Sequence, residues 1–424
     1  MSSGHGIAWA PDLPEHWTAS HLRWITSIYA GGTPDRNNAD YWRDGTVPWL
    51  NSGSVNDWSI TKPSEFISEA GLSGSSARWV PPRSVVVGLA GQGKTKGTAA
   101  RLEIPATTNQ SMAAIIPGGT LEYRYLHYWL VSNYQSIRNL AGGDKRDGLN
   151  LQHIAGIEIP LPPFDEQLAI ADYLDRETAR IDTLIAKQEQ LIATLRERRS
   201  ATVTQLSLEG LDPTVETAQH PFLGVKNASW STARFGRVIS ISGGLVDPRT
   251  ERWRDSILFA PNHIESGTGR IIGRETAMEQ GADSGKYVVK AGQILYSKIR
   301  PALNKVAVAS EDGLCSADMY ALSAASSFDR DYLAYYLLSN PFLAFATMTS
   351  MRVKMPKVNR EELGEAVIPL PPLPEQKEIA DAITAATTKI DTLIAKAQRF
   401  IELSKERRAA LITAAVTGQL EIPA

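Results

Sequence analysis

The sequence predicts an α/β (α+β) protein in which two mixed α/β domains are joined by two long helices that form an antiparallel coiled coil. The first observation is an internal repeat that occupies both halves of the 424 residues. The second is a long stretch without glycine in each half, with apolar residues at heptad spacing. The third is a set of short β-rich runs and glycine-rich loops upstream of each stretch. A hydrophobic fraction of 43% suffices for two or three domain cores.

The repeat is most regular at its helical end. The sequence IPLPP at residues 159–163 returns 209 positions later at 368–372, and IDTLIAK at 181–187 returns unchanged at 390–396. The globular parts have diverged far more than these segments. A gapless repeat at half the chain length indicates duplication of one large unit. The predicted globular and helical segments alternate as residues 1–157, 158–211, 212–367 and 368–424.

The globular segments are predicted to mix strands and helices. Trp49-Leu50 and Leu258-Phe259 stand at the same position of the repeat and predict one equivalent strand in each half. Further β-rich runs predict strands at residues 85–89, 113–116, 292–296 and 306–309. Aromatic stretches predict helices at residues 123–134 and 332–338. Each globular segment is therefore expected to form a compact mixed α/β domain.

The long helices are predicted to start after proline-rich stretches that end at Phe164 and Leu373. Pro374 suits a first helical position, and Gly210 ends the first helix after roughly 65 Å. The first helix leads from one domain to the other, so the second must run back, which relates the domains by a pseudo-twofold axis. The predicted seam residues are Leu174, Ile181, Leu184, Ile185, Leu191, Ile192, Leu195, Ile383, Ile390, Leu393, Ile394, Phe400, Ile401 and Leu411.

Composition excludes several classes of protein. The sequence shows no apolar run of about 18 residues and no signal-peptide pattern, so we expect a cytoplasmic protein without membrane contact. The single cysteine, Cys315, excludes a disulfide framework, and the seven histidines show no metal-binding spacing. A net charge of −2 argues against indiscriminate binding of polyanions. Any nucleic-acid binding is therefore expected on local basic patches of the globular segments.

Residues 88–95, GLAGQGKT, match the phosphate-binding pattern GxxxxGK[ST] after a predicted strand. The matching stretch of the other half, SKIRPALN at 297–304, lacks both glycines, the lysine and the threonine. No helix-forming run follows Thr95, although a phosphate-binding loop needs a helix N-terminus. We favour a glycine-rich loop that displays polar side chains, and a P-loop NTPase with a coiled-coil arm is the remote alternative.

Three pairs of polar clusters are candidates for DNA contact, because Lys and Arg bind phosphates and guanine edges, and Asn and Gln pair with adenine. The glycine-rich loop and its counterpart contribute Gln92, Lys94, Lys96, Arg101, Lys298, Arg300, Asn304 and Lys305. The segments before the helices contribute Lys145, Arg146, Arg352, Lys354 and Lys357. The segments after two strands contribute Asn51, Ser52, Ser54, Asn262 and His263. The alternative for each cluster is an ordinary solvated loop or turn.

No catalytic motif is recognisable: the sequence has no GxSxG, no dinucleotide-binding fingerprint and no paired-carboxylate motif, which lowers the expectation of an enzyme. Charged and amide clusters on the predicted helices are expected to be solvated faces or partner contacts. The candidates for partner contact are Glu166, Gln167, Arg198, Arg199, Glu375, Gln376, Arg407 and Arg408.

Further motifs lie in both the globular and the helical segments. They are IPLPPFDEQLAIADYL and IPLPPLPEQKEIADAI, the two IDTLIAK segments, Thr108-Asn109-Gln110, Thr417-Gly418-Gln419, and a Trp and a Gly-Gly pair that open each domain. In these motifs the chain resembles, over nearly its whole length, the specificity subunit of type I restriction–modification enzymes. The resemblance implies two target recognition domains, each reading one half of a split site in double-stranded DNA.

The resemblance also implies partners for the helical segments. Two adenine methyltransferase subunits would bind them, and restriction/translocase subunits would join the complex. S-adenosylmethionine, ATP and Mg²⁺ are expected on those partners, with no cofactor and no catalysis in this chain. Recognition domains vary in such families, so no base-contacting residue is carried over. A specificity subunit of a methylation-only or phage-defence complex without the nuclease is the alternative.

Overall fold

The computed structural model describes residues 6–91, 93–142, 148–350 and 356–422. Its internal contacts divide the chain into two compact units. The first unit comprises Met1–Lys187 and Phe400–Ala424, and the second comprises Gln188–Arg399. Each unit therefore combines one predicted globular domain with part of both long helices.

The first half of the chain forms a mixed α/β domain followed by a long helix. Its elements are β1 Thr18–His21, α1 Leu22–Ile25, β2 Thr26–Ala30, β3 Val47–Leu50, β4 Ser59–Ile60, β5 Glu65–Ile67, α2 Glu69–Ser73, β6 Trp79–Val80, β7 Ser84–Gly88, β8 Ala99–Leu102, β9 Ala106–Thr108, β10 Met112–Pro117, α3 Tyr123–Ser132, α4 Tyr134–Asn139, α5 Leu151–Ala155, β11 Glu158–Leu161 and α6 Phe164–Glu209.

The second half follows the same plan. Its elements are β12 Thr217–His220, β13 Gly224–Asn227, β14 Ser231–Arg234, α7 Phe235–Val238, β15 Ile239–Ile241, β16 Leu245–Val246, β17 Leu258–Phe259, β18 Lys286–Val289, β19 Ile294–Ser297, β20 Val306–Val308, β21 Gly313–Cys315, β22 Met319–Ala324, α8 Arg330–Leu338, α9 Asn340–Ser350, α10 Arg360–Gly364, β23 Val367–Leu370 and α11 Leu373–Val416.

Each domain is built on two sheets. In the first domain the strand orders are β2-β10-β7-β8-β4 and β5-β3-β9-β6, and in the second they are β15-β22-β19-β20 and β16-β18-β21-β17. A two-stranded pair, β1-β11 or β14-β23, precedes each long helix. β3 pairs in parallel with β9, and β17 pairs in parallel with β21. The predicted equivalence of Trp49-Leu50 and Leu258-Phe259 is therefore confirmed.

The predicted strands at 85–89, 113–116, 292–296 and 306–309 are confirmed as β7, β10, β19 and β20, with ends shifted by one or two residues. β7 is buried along its whole length. Val85 and Val87 pack in the core cluster that contains Tyr125 of α3, whereas Val86 packs with Leu50 of β3. Because both faces of this strand are covered, its sequence is a continuous apolar run without alternation.

The long helices α6 and α11 contain 46 and 44 residues and begin at Phe164 and Leu373, as predicted. α6 ends at Glu209, and Gly210 follows with φ of 88°, a conformation that glycine adopts at helix ends without steric cost. Among the described residues, neither these helices nor any shorter one combines the length and apolar character that crossing a membrane requires.

The apolar seam of the long helices is narrower than predicted. Ile181, Ile185, Ile192 and Leu195 are buried, as are Ile390, Ile394 and Ile401. The prediction is wrong for four leucine and phenylalanine positions, which are 39–50% exposed: Leu184, Leu191, Leu393 and Phe400. Each of them precedes a buried isoleucine. Adjacent residues point about 100° apart around a helix, so only one of each pair faces the seam.

The core of each unit includes the last turns of a long helix from the other half of the chain. In the first unit, Ile412 and Val416 of α11 are buried in the cluster that contains Trp129 of α3. In the second unit, Leu208 of α6 is buried in the cluster that contains Tyr336 of α8. Each domain therefore completes its core with apolar surface from the opposite copy of the repeat.

Candidate nucleic-acid interface

The Glu-Gln pair at the start of α6 binds the first domain. Trp17 Nε1 donates to Glu166 Oε1 at 3.0 Å. Gln167 Oε1 accepts the Glu122 N–H at 2.9 Å, and Gln167 Nε2 donates to two main-chain carbonyls at 3.0 and 2.9 Å. Glu122 is the N-cap of α3, whose side chain accepts the Tyr125 N–H. The amide of Gln167 therefore joins the start of α6 to the start of α3.

The second unit repeats these contacts. Trp230 Nε1 donates to Glu375 Oε2 at 3.2 Å, and Gln376 Oε1 accepts the N–H of Asp329, the N-cap of α8, at 2.7 Å. Gln167 and Gln376 are 1% and 0% exposed, so the prediction that they contact a partner protein is wrong. Glu166 and Glu375 are half-buried, and their contact with a partner stays a prediction.

One arginine of each predicted Arg-Arg pair forms an ion pair between the long helices. In the second unit, Arg199 Nε lies 2.9 Å from Asp391 Oδ1, and the Arg199 Nη atoms donate to two carbonyls of the second domain at 2.8 Å. In the first unit, Arg408 Nε lies 3.0 Å from Asp182 Oδ1. Arg408 and Asp182 stand at the repeat positions of Arg199 and Asp391. Both units therefore contain the same contact, with its two partners taken from opposite copies.

These ion pairs change the interpretation of the arginine clusters. Arg199 is 6% exposed and is engaged inside the second unit, so the prediction of its contact with a partner protein is wrong. The Arg408 guanidinium lies 4.4 Å from the centre of the Trp58 ring, which ties the end of α11 to the first domain. Arg198 and Arg407 are exposed, and their contact with a partner stays a prediction.

A buried tyrosine in each domain binds the C-terminal end of a long helix. Tyr125 OH donates to Val416 O at 3.4 Å in the first unit, and Tyr332 OH donates to Ser207 O at 2.9 Å in the second. Ser207 and Val416 are equivalent residues of the repeat. The contact satisfies a terminal carbonyl of the helix that has no intrahelical partner. The two domains are therefore held to the helices by one set of equivalent hydrogen bonds.

The glycine-rich loop of the first domain connects the antiparallel strands β7 and β8. A strand follows it where a phosphate-binding loop requires a helix, so the geometry contradicts the NTPase alternative. Arg138 Nη1 donates to the Gly93 and Lys96 carbonyls at 2.8 and 2.9 Å, and Tyr134 OH donates to Lys94 O at 3.0 Å. These bonds hold the main chain of the loop, while the Lys94 side chain is exposed.

Two predicted DNA contacts of the first domain are buried. Lys96 and Arg101 are both 6% exposed. Arg101 Nη1 lies 2.8 Å from Asp175 Oδ1 of α6, and Arg101 Nε donates to His127 Nδ1 at 3.1 Å. The guanidinium also lies 4.7 Å from the centre of the Tyr128 ring. Arg101 therefore ties β8 to α3 and α6, and the prediction that Lys96 and Arg101 reach DNA is wrong.

The Arg101 cluster has a definite protonation state. Burial and the nearby Arg101 charge lower the pKa of His127 well below its ordinary value. Because Arg101 Nε donates to His127 Nδ1, the proton of the neutral ring is on Nε2, which lies 3.2 Å from Ala99 O. Burial alone would raise the pKa of Asp175, but the hydrogen bond from Tyr128 and the Arg101 charge lower it. A neutral imidazole and an ionised carboxylate therefore flank the guanidinium.

In the second domain the counterpart of the loop is a rigid turn, the knuckle at residues 298–305. Arg300 and Asn304 have φ of 46° and 48°, which is costly for residues other than glycine by about 1–3 kcal/mol. Asn304 Nδ2 donates to Leu338 O at 3.0 Å, and Lys298 Nζ lies 5.2 Å from the centre of the Tyr320 ring. These contacts hold the main chain of the knuckle, and the Arg300 side chain is exposed.

The smaller polar clusters mostly serve turns and packing. The Asn51 side chain accepts a main-chain N–H two residues later at 2.8 Å, and Ser54 Oγ bonds a neighbouring serine hydroxyl at 2.6 Å. His263 Nε2 lies 3.3 Å from Glu275 Oε2. Ser54 and His263 are 9% and 4% exposed, so the prediction that they contact DNA is wrong. Ser52 is half-buried and Asn262 is exposed.

Some of the remaining candidates for DNA contact belong to the described residues, and others do not. Lys305 Nζ donates to Pro261 O, and Lys357 is exposed beside Ile299 of the knuckle. DNA contact stays a prediction for Asn51, Ser52, Lys94, Asn262, Lys298, Arg300, Asn304, Lys305 and Lys357. Five further candidates lie outside the described residues, namely Gln92, Lys145, Arg146, Arg352 and Lys354.

Two exposed arginines outside the predicted clusters lie over tyrosine rings. The Arg78 guanidinium is 4.6 Å from the centre of the Tyr29 ring, and that of Arg360 is 5.8 Å from the centre of the Tyr287 ring. Arg78 does not belong to a basic run, Arg360 follows Lys357 by three residues, and the two arginines do not stand at matching positions of the repeat. No sequence pattern marks them, because the strands and helix that bring these pairs together are distant along the chain.

Comparison with known proteins identifies one family. A family model described as "Type I restriction modification DNA specificity domain" matches residues 14–193 and 255–402. The EcoDI specificity subunit of Escherichia coli is 33% identical over 313 residues, which cover 69% of this chain and 69% of the relative. The StySPI specificity subunit of Salmonella potsdam is 20% identical over 425 residues, which cover 96% of this chain and 90% of the relative.

Two solved structures share the fold. One comes from work on complex assembly and conformational transition of the type I R-M system, with a TM-score of 0.68, 16% identity, and coverage of 96% of this chain and 100% of that chain. The crystal structure of the HsdS subunit from Thermoanaerobacter tengcongensis has a TM-score of 0.54 and 16% identity, and the match covers 96% of this chain and 98% of that chain. At this identity the likeness shows the fold alone.

Proposed function

Because the chain belongs to the family of type I restriction modification DNA specificity domains, we propose that it reads a bipartite site in double-stranded DNA. Specificity subunits of type I systems are their non-catalytic DNA recognition subunits. In this proposal each globular domain reads one half of the site. The long helices hold two methyltransferase subunits, and restriction/translocase subunits join them.

The observation that supports two separate half-sites is a contrast between repeated contacts and unrepeated loops. The buried amides of Gln167 and Gln376 hold equivalent helix starts in the two units. The loops that carry Lys94 and Arg300 stand at matching positions, yet one is a glycine-rich hairpin loop and the other is a knuckle with two positive φ residues. A common frame with different exposed loops suits a protein whose two domains recognise different base sequences.

We place the methyltransferase contacts on the exposed faces of the long helices. Large apolar side chains on a helix surface are typical of protein–protein contact when they recur at helical spacing. These positions are Leu184, Phe400 and Leu403 in the first unit, and Leu191 and Leu393 in the second, all 39–50% exposed. The exposed Arg198 and Arg407 lie on the same helices and would form part of a polar rim.

Exchange of one domain tests the proposal. Residues 1–157 are replaced by the equivalent domain of a relative with a known site, and the chain is produced with its methyltransferase subunits. Sequencing of the methylated genome is expected to show one altered half-site and one unchanged half-site. The matched control replaces residues 212–367 and should alter the other half. A change in both halves, or in neither, would contradict two independent recognition domains.

Co-purification from the native host separates the proposal from the nuclease-free alternative. A tagged chain is expected to retain methyltransferase subunits and, in the presence of ATP and DNA, a restriction subunit. Recovery of methyltransferase subunits alone, from a host whose genome encodes no matching restriction subunit, would support the methylation-only complex.

A further inference from the structure

Each domain holds one exposed arginine over tyrosine at the junction of its two sheets. In the first domain, the Arg78 guanidinium lies 4.6 Å from the centre of the Tyr29 ring. In the second, the Arg360 guanidinium lies 5.8 Å from the Tyr287 ring and 5.7 Å from the Tyr320 ring. Tyr29 lies on β2 of the five-stranded sheet, and Tyr320 lies on β22 of the corresponding four-stranded sheet. Arg78 immediately precedes β6 and Tyr287 lies on β18, strands that belong to the other sheet of each domain. All three distances are within the range of cation–π attraction.

The two arginines reach the same place in the fold. Tyr29 of β2 lies opposite Ala114 of β10, and the Ser242 N–H after β15 donates to Ala321 O of β22. The two alanines are equivalent, because their partners on β7 and β19 stand 209 residues apart. Arg360 Nη2 donates to Ser242 O at 2.8 Å. Arg78 therefore contacts the ring of Tyr29, and Arg360 bonds the main chain of Ser242, which stands at the strand position equivalent to Tyr29.

The residues that supply this arrangement are not equivalent in the repeat. Arg78 precedes β6 near the middle of the first domain sequence, whereas Arg360 is the first residue of α10, near the end of the second domain sequence. Duplication of an ancestral half therefore does not account for both. A role in stability does not account for them either, because both side chains are exposed and a cation–π contact at an exposed site contributes only about 0.5–1 kcal/mol. The shared feature is an oriented positive charge at one position on each domain.

The two guanidinium groups keep N–H donors for a ligand, although Arg360 Nη2 already donates to Ser242 O. Tyr29 OH donates to Trp79 O at 2.6 Å, which holds the ring under Arg78. Within the described part of the chain, the ion pairs do not include Arg78 or Arg360, in contrast to Arg101, whose charge is neutralised by a carboxylate of α6. A stacked guanidinium loses little side-chain freedom on binding, and its planar N–H edge matches phosphate oxygens or guanine O6 and N7.

We propose that Arg78 and Arg360 are DNA-contacting residues, one in each recognition domain and each acting on its own half-site. The inference rests on the proposed function and adds two residues to the interface that the basic clusters did not indicate. The ligand is the DNA duplex. The acceptor is a backbone phosphate or the major-groove edge of a guanine, and the two acceptors give different results in the test below.

The test uses the full chain in complex with its methyltransferase subunits. Equilibrium binding is measured by fluorescence anisotropy on a duplex with the methylation site mapped for the wild-type complex, and on duplexes with one altered base pair in one half-site. Arg78→Ala and Arg360→Ala are each expected to raise Kd at least tenfold. If the alanine variant has lost a phosphate contact, the slope of log K against log salt becomes less steep by about 0.9, and binding to all duplexes weakens equally. If the variant has lost a guanine contact, it no longer discriminates at one base pair, which lies in the first half-site for Arg78 and in the second for Arg360.

Two matched controls come from the same chain. Arg23 lies 5.7 Å from the Trp24 ring and Arg252 lies 4.7 Å from the Trp253 ring, and both arginines are exposed. Neither arginine contacts the equivalent strand positions of Tyr29 and Ser242. Arg23→Ala and Arg252→Ala are expected to bind within twofold of wild type. Arg78→Lys keeps the charge without the planar group and is expected to restore a phosphate contact but not a guanine contact.

The outcomes separate the inference from the proposed function. Wild-type binding with unchanged Kd for Arg78→Ala and Arg360→Ala would overturn the inference and leave the proposed function intact. A wild-type complex that binds the site no better than unrelated duplex would overturn both. Equal thermal unfolding of all variants shows that a change in Kd is not a consequence of misfolding, and Arg78→Lys provides the comparison for any variant that does unfold.

Discussion

The two units join their domains to the long helices at equivalent positions with different chemistry. In the first unit, Arg101 of β8 pairs with the ionised Asp175 of α6. In the second, the strand position equivalent to Arg101 is Val308, and Thr384 stands at the position of Asp175. A cavity of about 420 Å³ lies there, lined by both residues. The second unit thus has no counterpart of this ion pair.

At this junction both units contain a hydrogen bond that involves a tyrosine hydroxyl. Tyr128 OH donates to Asp175 Oδ1 at 2.7 Å, and Tyr335 OH lies 2.9 Å from Thr384 Oγ1. Together with the glutamine amides and the Arg–Asp pairs, these hydroxyls occur in both halves, whereas the charges around Arg101 occur only in one. The comparison shows that neutral hydrogen bonds and the helix ends are common to the attachment of both domains. The charges around Arg101 are an addition in the first unit, and each requires a partner there.

Insertion of residues into the long helices gives the largest expected effect. It tests whether a change in one helical segment can be matched by the same change in the other. Four residues after Ala186 add about 6 Å and rotate the following seam by about 40°. We expect loss of methylation at the original site. A matching insertion after Ala395 should restore activity and lengthen only the unspecified spacer, by one to two base pairs at about 3.4 Å each. Methylation mapping decides, and an active double variant with an unchanged spacer would exclude the helices as a ruler.

Substitution of the buried arginine should affect the two units unequally. Arg101→Ala leaves Asp175 partly buried beside fewer cations and is expected to destabilise the first unit by about 3 kcal/mol. The matched change Val308→Ala removes two methyl groups next to a cavity and should destabilise the second unit by about 1 kcal/mol. Hydrogen exchange at the amides of β7 and β19 measures each unit within the intact chain. Equal losses in both units would contradict the proposed difference.

A pH difference between the units is expected from His127. Its pKa is lowered in the folded protein, so below about 6.5 the unfolded chain binds a proton that the folded chain does not. Stability of the first unit should therefore fall as pH falls from 6.5 toward the folded pKa, with a limiting slope of about 1.4 kcal/mol per pH unit. The equivalent residue of α8, Ala334, does not titrate. His127→Gln can keep both hydrogen bonds and should flatten this slope, and an unchanged slope in that variant would assign the effect to other groups.

The smallest effects are expected on the exposed loops. Lys94→Ala and Arg300→Ala should each weaken DNA binding by about threefold to tenfold and reduce the salt slope by up to about 0.9 if they contact phosphates. Calorimetry with ATP is expected to show no binding, because β8 occupies the place of the required helix. Micromolar ATP binding that disappears in Lys94→Ala would contradict the hairpin interpretation.

Much of the fold could be predicted from local sequence patterns. The starts of α6 and α11 follow from the prolines before them, and the end of α6 follows from Gly210. The continuous valines of β7 were recognisable as a strand. The seam was predicted too broadly, because heptad spacing does not distinguish Leu184 from Ile185 until the opposing helix surface is known. Secondary structure was predictable in these places because its determinants lie within a few residues of one another.

The side chains of the candidate site were predicted less well. Lys94 and Arg300 lie exposed on their loops, whereas Arg101 and Arg199 are buried in ion pairs with carboxylates far away in the sequence. Arg199 and its partner Asp391 stand 192 residues apart. Composition and spacing cannot indicate such a partner, so every arginine near a loop appears equally accessible to DNA or protein.

By itself the sequence determined the duplication, the two long helices and the order of the segments, because repeats, heptads and proline or glycine breaks act over short distances. Tertiary structure alone decided that α11 completes the core of the first domain and α6 that of the second. It also decided which cations remain at the surface, as Arg78 and Arg360 do. Burial of a charge depends on whether a carboxylate from another segment can reach it, and only the packed chain brings those segments together.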